Sequence, residues 1–164
     1  MILLKKNWMG IIFFCSLIAI GSALVAEHVF DLEPCKMCLK QRYSYYFMIG
    51  LIVFLYFFRK RQDLWFYIPV LGSLLYGLFY SIWHVGIEQK ILPGPTSCSG
   101  ILNQTNSIIT LKDQIINQAV INCNEITWTI LSLSAATINA IFIIFIIIFH
   151  TTFLIQYIHD SEKK

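Results

Sequence analysis

The chain has 164 residues, of which 57% are hydrophobic and 13% are charged, and its net charge is +3 at neutral pH. So few charged residues cannot cover the apolar surface of a soluble domain of this size, which predicts that the lipid bilayer is the main solvent of the chain. A charge of +3 gives no argument for a nucleic-acid partner, and the lysines and arginines cluster at the ends of apolar runs, as is typical of membrane proteins.

The first apolar run, from Trp8 to Ala26, follows Lys5 and Lys6 and contains no charged residue. As a helix it would extend for about 28 Å, close to the thickness of the bilayer hydrocarbon. We therefore predict a transmembrane helix over residues 8–26. A cleaved signal peptide is the alternative, but the apolar run is longer than the apolar region of such peptides.

Three further apolar runs predict transmembrane helices over residues 39–58, 64–83 and 126–149. In the third helix, Gly72 and Gly77 are small enough to allow close contact with a neighbouring helix. The fourth helix contains polar residues that we expect to face the bundle, namely Ser132, Ser134, Thr137 and Asn139. The predicted fold class is all-α: one domain, residues 1–164, forming an integral membrane four-helix bundle with two cysteine-bearing loops.

The basic residues predict the orientation of the bundle. Of the 12 lysines and arginines, seven fall on one side of the predicted membrane and five on the other. Arg59, Lys60 and Arg61 are packed into one tight turn on the first side, whereas Lys90 and Lys112 are spread over a long loop. The positive-inside rule then places both termini in the cytoplasm. Four of the five cysteines lie on the opposite side, in a compartment where disulfides persist.

Cys35 and Cys38 form a Cys-x-x-Cys pair at the start of the second helix, and two thiols at this spacing can close a disulfide. If Pro34 occupies the first helical turn, then Cys35, Cys38 and Arg42 share one stripe of the helix. A helix N-terminus and a nearby cation both favour the thiolate, which is the form that attacks a disulfide. The pattern predicts a redox site at the membrane surface, with Cys35 the more exposed of the two sulfurs.

The long loop after the third helix carries two more cysteines. Residues 92–100 are rich in turn-forming residues, which predicts an exposed Cys98. Residues 100–122 have apolar residues at roughly helical spacing, too few to span a membrane, and predict a short interfacial helix. Cys123 directly precedes the fourth helix, at the level of Cys35. His84 and Glu88, four residues apart, predict either a hydrogen-bonded pair or part of a proton path.

The order of these motifs resembles the disulfide bond formation protein B (DsbB) family. The resemblance rests on Glu33-Pro34-Cys35-x-x-Cys38-x-x-Gln41-Arg42, Tyr80-x-x-x-His84-x-Gly86-x-Glu88, Pro93-Gly94-Pro95-x-x-Cys98, and Cys123-x-Glu125-x-x-Trp128 leading to Ser132 and Asn139. It covers nearly the whole chain. It implies a multi-pass protein of the bacterial inner membrane that oxidises a soluble, thioredoxin-like DsbA partner in the periplasm and passes the electrons to ubiquinone or menaquinone.

The resemblance also implies roles for single residues. A reduced partner would attack Cys98 of a Cys98–Cys123 disulfide, and Cys123 would then attack Cys35. Cys38 would reduce the quinone, while Arg42 stabilises the charge that develops on the quinone oxygen. Arg42 and His84 are the expected cofactor-binding residues, and no metal is expected.

Other interpretations of the cysteines remain open. A Cys98–Cys123 bond could be a purely structural clip, which would stabilise the fold by roughly 3–4 kcal/mol. The four cysteines outside the apolar runs could bind zinc, although zinc sites usually present two closely spaced pairs. Two alternatives for the whole chain are an enzyme like vitamin K epoxide reductase and a non-enzymatic membrane module with structural disulfides.

Overall fold

The computed structural model describes residues 7–58, 63–95, 123, 129–130 and 132–163. In this part of the chain there are four helices: α1 (Trp8–Val29), α2 (Lys36–Phe58), α3 (Leu64–Glu88) and α4 (Ala135–Glu162). A small antiparallel hairpin of β1 (Thr129–Ile130) and β2 (Leu133–Ser134) precedes α4. The helical fold class is confirmed. The predicted interfacial helix over residues 100–122 and Cys98 lie outside the described residues.

Three of the helices, α1, α3 and α4, are long and apolar enough to cross a membrane. Their outer faces carry large exposed side chains, as expected for surfaces that contact lipid: Phe14 is 63% exposed and Phe145 is 60% exposed. The first two turns of α2 carry Lys36, Lys40 and Arg42. A membrane crossing by α2 therefore stays a prediction from the sequence.

The centre of the bundle is built on α2 and α3, which pack against each other, with α1 against α2 and α4 against α3. Gly77 of α3 lies where three helices meet. A Cβ atom at this position would lie 2.7 Å from Ser44 Oγ on α2 and 3.1 Å from Ile143 Cδ1 on α4. At Gly72, by contrast, a Cβ atom would meet nothing within 4 Å. Of the two glycines predicted at helix contacts, only Gly77 is at one.

The bounds of α4 differ most from the prediction, because the helix begins at Ala135 instead of residue 126 and ends at Glu162 instead of residue 149. The start is set by Ser134, whose side chain accepts a hydrogen bond from the Thr137 N–H and caps the helix. Ser132 has a φ of 66°, in the turn of the hairpin, and its side chain is exposed instead of facing the bundle. Beyond residue 149 the helix continues through Thr151 and Thr152, and the Thr151 hydroxyl donates to Ile147 O one turn earlier.

Two smaller differences concern the ends of the other helices near the cysteines. Helix α2 begins at Lys36, three residues earlier than predicted, and α3 extends to Glu88 instead of residue 83. His84 and Glu88 are therefore both helical and lie one turn apart on the last part of α3.

A hydrogen-bonded histidine joins three helices at one end of the bundle. His150 is fully buried; its Nδ1 accepts from Trp8 Nε1 at 3.0 Å, and its Nε2 donates to Tyr67 O at 2.9 Å. These bonds connect α4 to α1 and α3. At the opposite end of the bundle, α1, α2 and α4 surround a cavity, and the cysteines lie beside it.

Candidate thiol redox site

Cys35 and Cys38 lie at the N-terminus of α2, with their sulfurs 3.2 Å apart and both thiols free. Cys35 immediately precedes the helix, and its sulfur accepts a hydrogen bond from the Cys38 N–H at 3.3 Å. The Cys35 carbonyl accepts the first helical bond, from the Leu39 N–H at 3.2 Å. Cys35 thus occupies the N-cap position, where side-chain acceptors satisfy the unpaired N–H groups of the first turn. The two sulfurs are close enough to form a disulfide with a small movement.

The surroundings of Cys35 favour its thiolate. The thiol of Cys38 is a hydrogen-bond partner of the Cys35 sulfur, the Cys38 N–H donates to it, and His84 Nε2 lies 3.6 Å away. The hydrogen bond with the Cys38 side chain has the largest effect. Together with those from His84 and the Cys38 N–H, it lowers the pKa of Cys35 from 9.0 to about 4, although burial acts in the opposite direction. Cys35 is therefore the sulfur that holds the negative charge of the reduced pair.

The expectation that Cys35 is the more exposed sulfur is wrong. Cys35 is only 5% exposed, whereas Cys38 is partly exposed. The reason is tertiary packing, because Cys35 lies in a buried apolar cluster with Met37 of α2, Ile87 of α3 and Cys123. Depth along α2 does not set the exposure of either sulfur.

Cys123 reaches this cluster from the segment before α4. It is 1% exposed and disulfide-bonded, and its backbone carbonyl accepts a hydrogen bond from His84. Because its sulfur is already in a disulfide, Cys123 does not supply a thiolate to the four-cysteine zinc site that the sequence left open. The structure brings Cys35, Cys38 and Cys123 together, while Cys98 is outside the described residues.

The cavity at this end of the bundle has a volume of about 330 Å³, within the range of small-molecule sites. Its walls are mostly apolar. The polar side chains in its walls belong to residues of α2 and α4, to Ser22 of α1 and to Glu33. The residues that line it are Ile18, Ala19, Ile20, Ser22, Ala23, Ala26, Leu32, Glu33, Pro34, Cys38, Gln41, Arg42, Tyr45, Ala135, Ala136, Ile138, Asn139 and Phe142. The cavity is therefore large enough and apolar enough to hold a small organic ligand.

Arg42 lines the cavity and forms an ion pair with Glu27 of α1. Its Nη2 also donates to Ala23 O at 3.4 Å. Both charged side chains are largely shielded from solvent, being 13% and 29% exposed. Sequence analysis selected Arg42 but missed Glu27, because the two residues are 15 positions apart on different helices and no local pattern joins them.

His84 is placed on the other side of the cysteine pair and is not among the lining residues of the cavity. Its Nε2 lies 3.6 Å from Cys35 Sγ and 3.9 Å from Glu88 Oε1. Glu88 in turn accepts a hydrogen bond from the Ser134 hydroxyl, the N-cap of α4. His84 and Glu88 are therefore neighbours, as their spacing predicted, but 3.9 Å is too long for the hydrogen bond that was one of the two expectations. A role in a proton path stays a prediction.

Comparison with known proteins gives one family and several relatives. The family model described as disulfide bond formation protein DsbB matches residues 5–153. An uncharacterized protein of Rickettsia prowazekii (strain Madrid E) is 26% identical over 136 residues, covering 82% of this chain and 78% of the relative.

Two relatives carry the name disulfide bond formation protein B. The one from Acinetobacter baylyi is 29% identical over 131 residues, 76% of each chain. The one from Shewanella amazonensis is 24% identical over 131 residues, covering 76% of this chain and 74% of the relative. No solved structure matches the chain.

Proposed function

Since the chain belongs to the DsbB family of disulfide bond formation proteins, we propose that it is a protein-dithiol:quinone oxidoreductase of the bacterial inner membrane. In this proposal it reoxidises a DsbA-like periplasmic thiol oxidase and passes the electrons to ubiquinone or menaquinone. Its termini are cytoplasmic and its cysteine-bearing loops are periplasmic, so that its product disulfides form where they persist.

One observation carries the proposal: the two sulfurs of the Cys-x-x-Cys pair face different neighbours. Cys35 packs against the disulfide-bonded Cys123, and Cys38, 3.2 Å from it, lines the cavity with Arg42. An electron relay needs one contact with the donor disulfide and another with the acceptor. The pair is located between the two, which a purely structural disulfide would not require.

In the proposed relay, a thiolate of the reduced partner attacks Cys98 of a Cys98–Cys123 disulfide, and Cys123 leaves as a thiolate. The second thiol of the partner then displaces Cys98, so the partner departs as a disulfide. Cys123 attacks Cys35 of a Cys35–Cys38 disulfide, and Cys98 resolves the resulting bond. Two electrons have then moved to Cys35 and Cys38, both of which are free thiols in this structure.

The last step closes the Cys35–Cys38 disulfide. With Cys35 as the thiolate and Cys38 as the thiol, this releases two electrons and one proton. A quinone in the cavity would accept the two electrons, and its reduction to the quinol would take up this proton and a second one from solvent. Cys38 and Arg42 are the cavity residues proposed to face it, and the guanidinium stabilises negative charge that develops on the acceptor oxygen. In this structure the Glu27 carboxylate accepts a hydrogen bond from Arg42 and holds its guanidinium in position.

The direct test uses purified protein in lipid nanodiscs with a short-chain ubiquinone and a reduced thioredoxin-like dithiol protein. We expect the dithiol to be oxidised continuously with quinone and, without it, only to the extent of the disulfides already present. The Cys15→Ser variant, which removes a thiol within α1, should turn over like the wild type. Dithiol oxidation independent of quinone, or none at all, would refute the proposal and favour a module with structural disulfides.

A further inference from the structure

A chain of buried side-chain hydrogen bonds leads to the redox pair from the interior of the bundle. Gln41 Nε2 lies 3.1 Å from His84 Nδ1, and Gln41 Oε1 accepts from Asn139 Nδ2 at 2.9 Å. The same Asn139 nitrogen donates to Ser81 Oγ at 2.8 Å, and Asn139 Oδ1 accepts from the Tyr45 hydroxyl. Three helices contribute to this chain, and it ends at the imidazole that faces Cys35.

The hydroxyl groups determine which way the amides point. A hydroxyl has one proton, and that of Ser81 goes to Gly77 O at 2.8 Å, so Ser81 accepts from Asn139. Asn139 therefore presents its NH₂ group to Ser81 and Gln41, and its oxygen to Tyr45. Gln41 must then accept with its oxygen and donate with its NH₂ group. That group faces Nδ1 of His84.

We propose that Gln41, oriented by Asn139 and Tyr45, is a positioning residue that holds His84 in the neutral tautomer with its single proton on Nε2, directed at the Cys35 sulfur. A donor at Nδ1 requires that Nδ1 carry a lone pair, which excludes a proton there. His84 then acts as a fixed hydrogen-bond donor to Cys35. This inference rests on the proposed function only for the use of that hydrogen bond in the redox cycle.

Charged and titratable groups from several elements surround this imidazole. From α3, Glu88 Oε1 lies 3.9 Å from Nε2; from the segment before α4, the Cys123 carbonyl accepts a bond from His84; from α2, Cys35 and Cys38 face it. Of these neighbours, Glu88 Oε1 and the Cys35 sulfur lie on the Nε2 side, and they are an acceptor and a potential thiolate. Arg42, the cation of the site, is paired with Glu27 on α1 and lines the cavity instead.

The experiment measures the tautomer of His84 directly, by proton–nitrogen correlation spectra of the full chain in nanodiscs with ¹⁵N-labelled histidine and the Cys35–Cys38 pair reduced. We expect a protonated Nε2 and an unprotonated Nδ1. His150 is an internal reference, since its Nδ1 also accepts and its Nε2 also donates. A protonated Nδ1 on His84 in the wild type overturns the inference without any variant.

Two substitutions alter the chain of buried hydrogen bonds that leads to His84. In Gln41→Glu the side chain has the same shape but no NH₂ group, so we expect the proton to appear on Nδ1 of His84 while the His150 signals stay unchanged. Tyr45→Phe removes one hydroxyl, which frees Asn139 to turn and should give a mixture of His84 tautomers. The matched control is Tyr46→Phe, which deletes the same group from an exposed neighbour. An unchanged His84 in both Gln41→Glu and Tyr45→Phe would contradict the inference.

A second measurement separates this inference from the proposed function. The thiolate absorbance of the reduced protein, followed against pH, should show its low-pH transition move upward in Tyr45→Phe but not in Tyr46→Phe, because the Nε2 donor to Cys35 is partly lost. If the protein does not couple dithiol oxidation to quinone but the tautomers behave as stated, the proposed function fails and the inference stands. If turnover is normal but the wild-type tautomer is the other one, the inference alone fails.

Discussion

At the scale of single residues, the site separates negative charge from positive charge. The Cys35 sulfur is hydrogen-bonded to the Cys38 N–H of α2 and to His84 of α3, while Arg42 forms an ion pair with Glu27 of α1. Cys38 lies between them. In this arrangement one sulfur can hold charge while the other contacts the cavity, so the two halves of the proposed reaction should be separable by mutation.

Replacing Arg42 should affect the cavity half of the reaction. In Arg42→Gln we expect quinone-dependent turnover to fall by on the order of 100-fold, as for loss of one stabilising donor, while a single exchange with the partner dithiol keeps its rate. Stopped-flow measurement of both half-reactions checks this. Arg42→Lys should recover only part of the rate, since lysine keeps the positive charge but lacks the planar, forked guanidinium group.

Lys40→Gln is the matched control for Arg42. Lys40 is an exposed cation on the same helix, with its ammonium 5.9 Å from the Tyr43 ring centroid, and its removal should leave both half-reactions unchanged. Equal losses in both half-reactions of Arg42→Gln would mean that Arg42 serves only the fold, through its pair with Glu27.

The charge on Cys35 predicts a pH dependence. Because the pKa of Cys35 is lowered from 9.0 to about 4, its thiolate stabilises the reduced folded protein fully above pH 9, and this contribution is lost as the pH falls toward 4. The reduced wild type should therefore keep a thiolate absorbance at pH 6 that Cys35→Ser lacks. A transition near the ordinary thiol value of about 8.5 would contradict this assignment.

At the scale of helices, Gly77 is a point of close contact, because α3 meets both α2 and α4 there. In Gly77→Ala the new Cβ atom would lie 2.7 Å from Ser44 Oγ, whose hydroxyl is already bonded to Gln41 O. We expect destabilisation of about 1–3 kcal/mol, typical of overpacking, measured by thermal unfolding in detergent.

Gly72→Ala is the control on the same helix. Its Cβ atom would meet nothing within 4 Å, so the better helix propensity of alanine should leave stability unchanged or raise it by up to about 1 kcal/mol. If both alanine variants unfold at the same temperature, Gly77 is not a packing constraint. The sequence predicted both glycines at helix contacts, because the small size of a residue does not show which side chains of the neighbouring helices lie next to it.

At the scale of the whole molecule, the relay predicts a fixed stoichiometry for a broken chain. In Cys38→Ser, the Cys98–Cys123 disulfide can accept one pair of electrons, but Cys35 has no partner with which to form a disulfide and pass them on. Each molecule should oxidise one partner dithiol and then stop, with or without quinone. Counting partner thiols after mixing checks this, and sustained turnover of Cys38→Ser would exclude the relay.

The orientation of the bundle is a second prediction at this scale. Reporter fusions after Arg61 and after Lys164 should report the cytoplasm, and fusions after Gly100 should report the periplasm. Each fusion should keep all the preceding helices, because the basic residues of all the loops together determine the orientation of the protein in the membrane. The inverted pattern would place the cysteines in a reducing compartment and contradict the proposed oxidase.

The sequence by itself determined the properties that depend on composition and local spacing. Apolar runs identified the four helical segments, and the Cys-x-x-Cys spacing identified a pair of sulfurs that the structure places 3.2 Å apart. These follow from the 1.5 Å rise of a helix and from the length of chain needed to cross a bilayer. The sequence also held a local signal for the start of α4, because Ser134 is a residue type that caps helices. The prediction followed the longer apolar run instead and placed the start at residue 126.

Only the tertiary structure decided which residues meet across the bundle. The burial of Cys35 under Cys123, the pair of Arg42 with Glu27, and the chain from Tyr45 through Asn139 to His84 all join different elements of the chain. Tyr45 and Asn139 are 94 positions apart, and neither residue type predicts the other. Packing brings these groups to hydrogen-bonding distance, and in a buried site each donor must find an acceptor. That requirement, which acts in three dimensions, sets the direction of the hydrogen bonds at the redox pair.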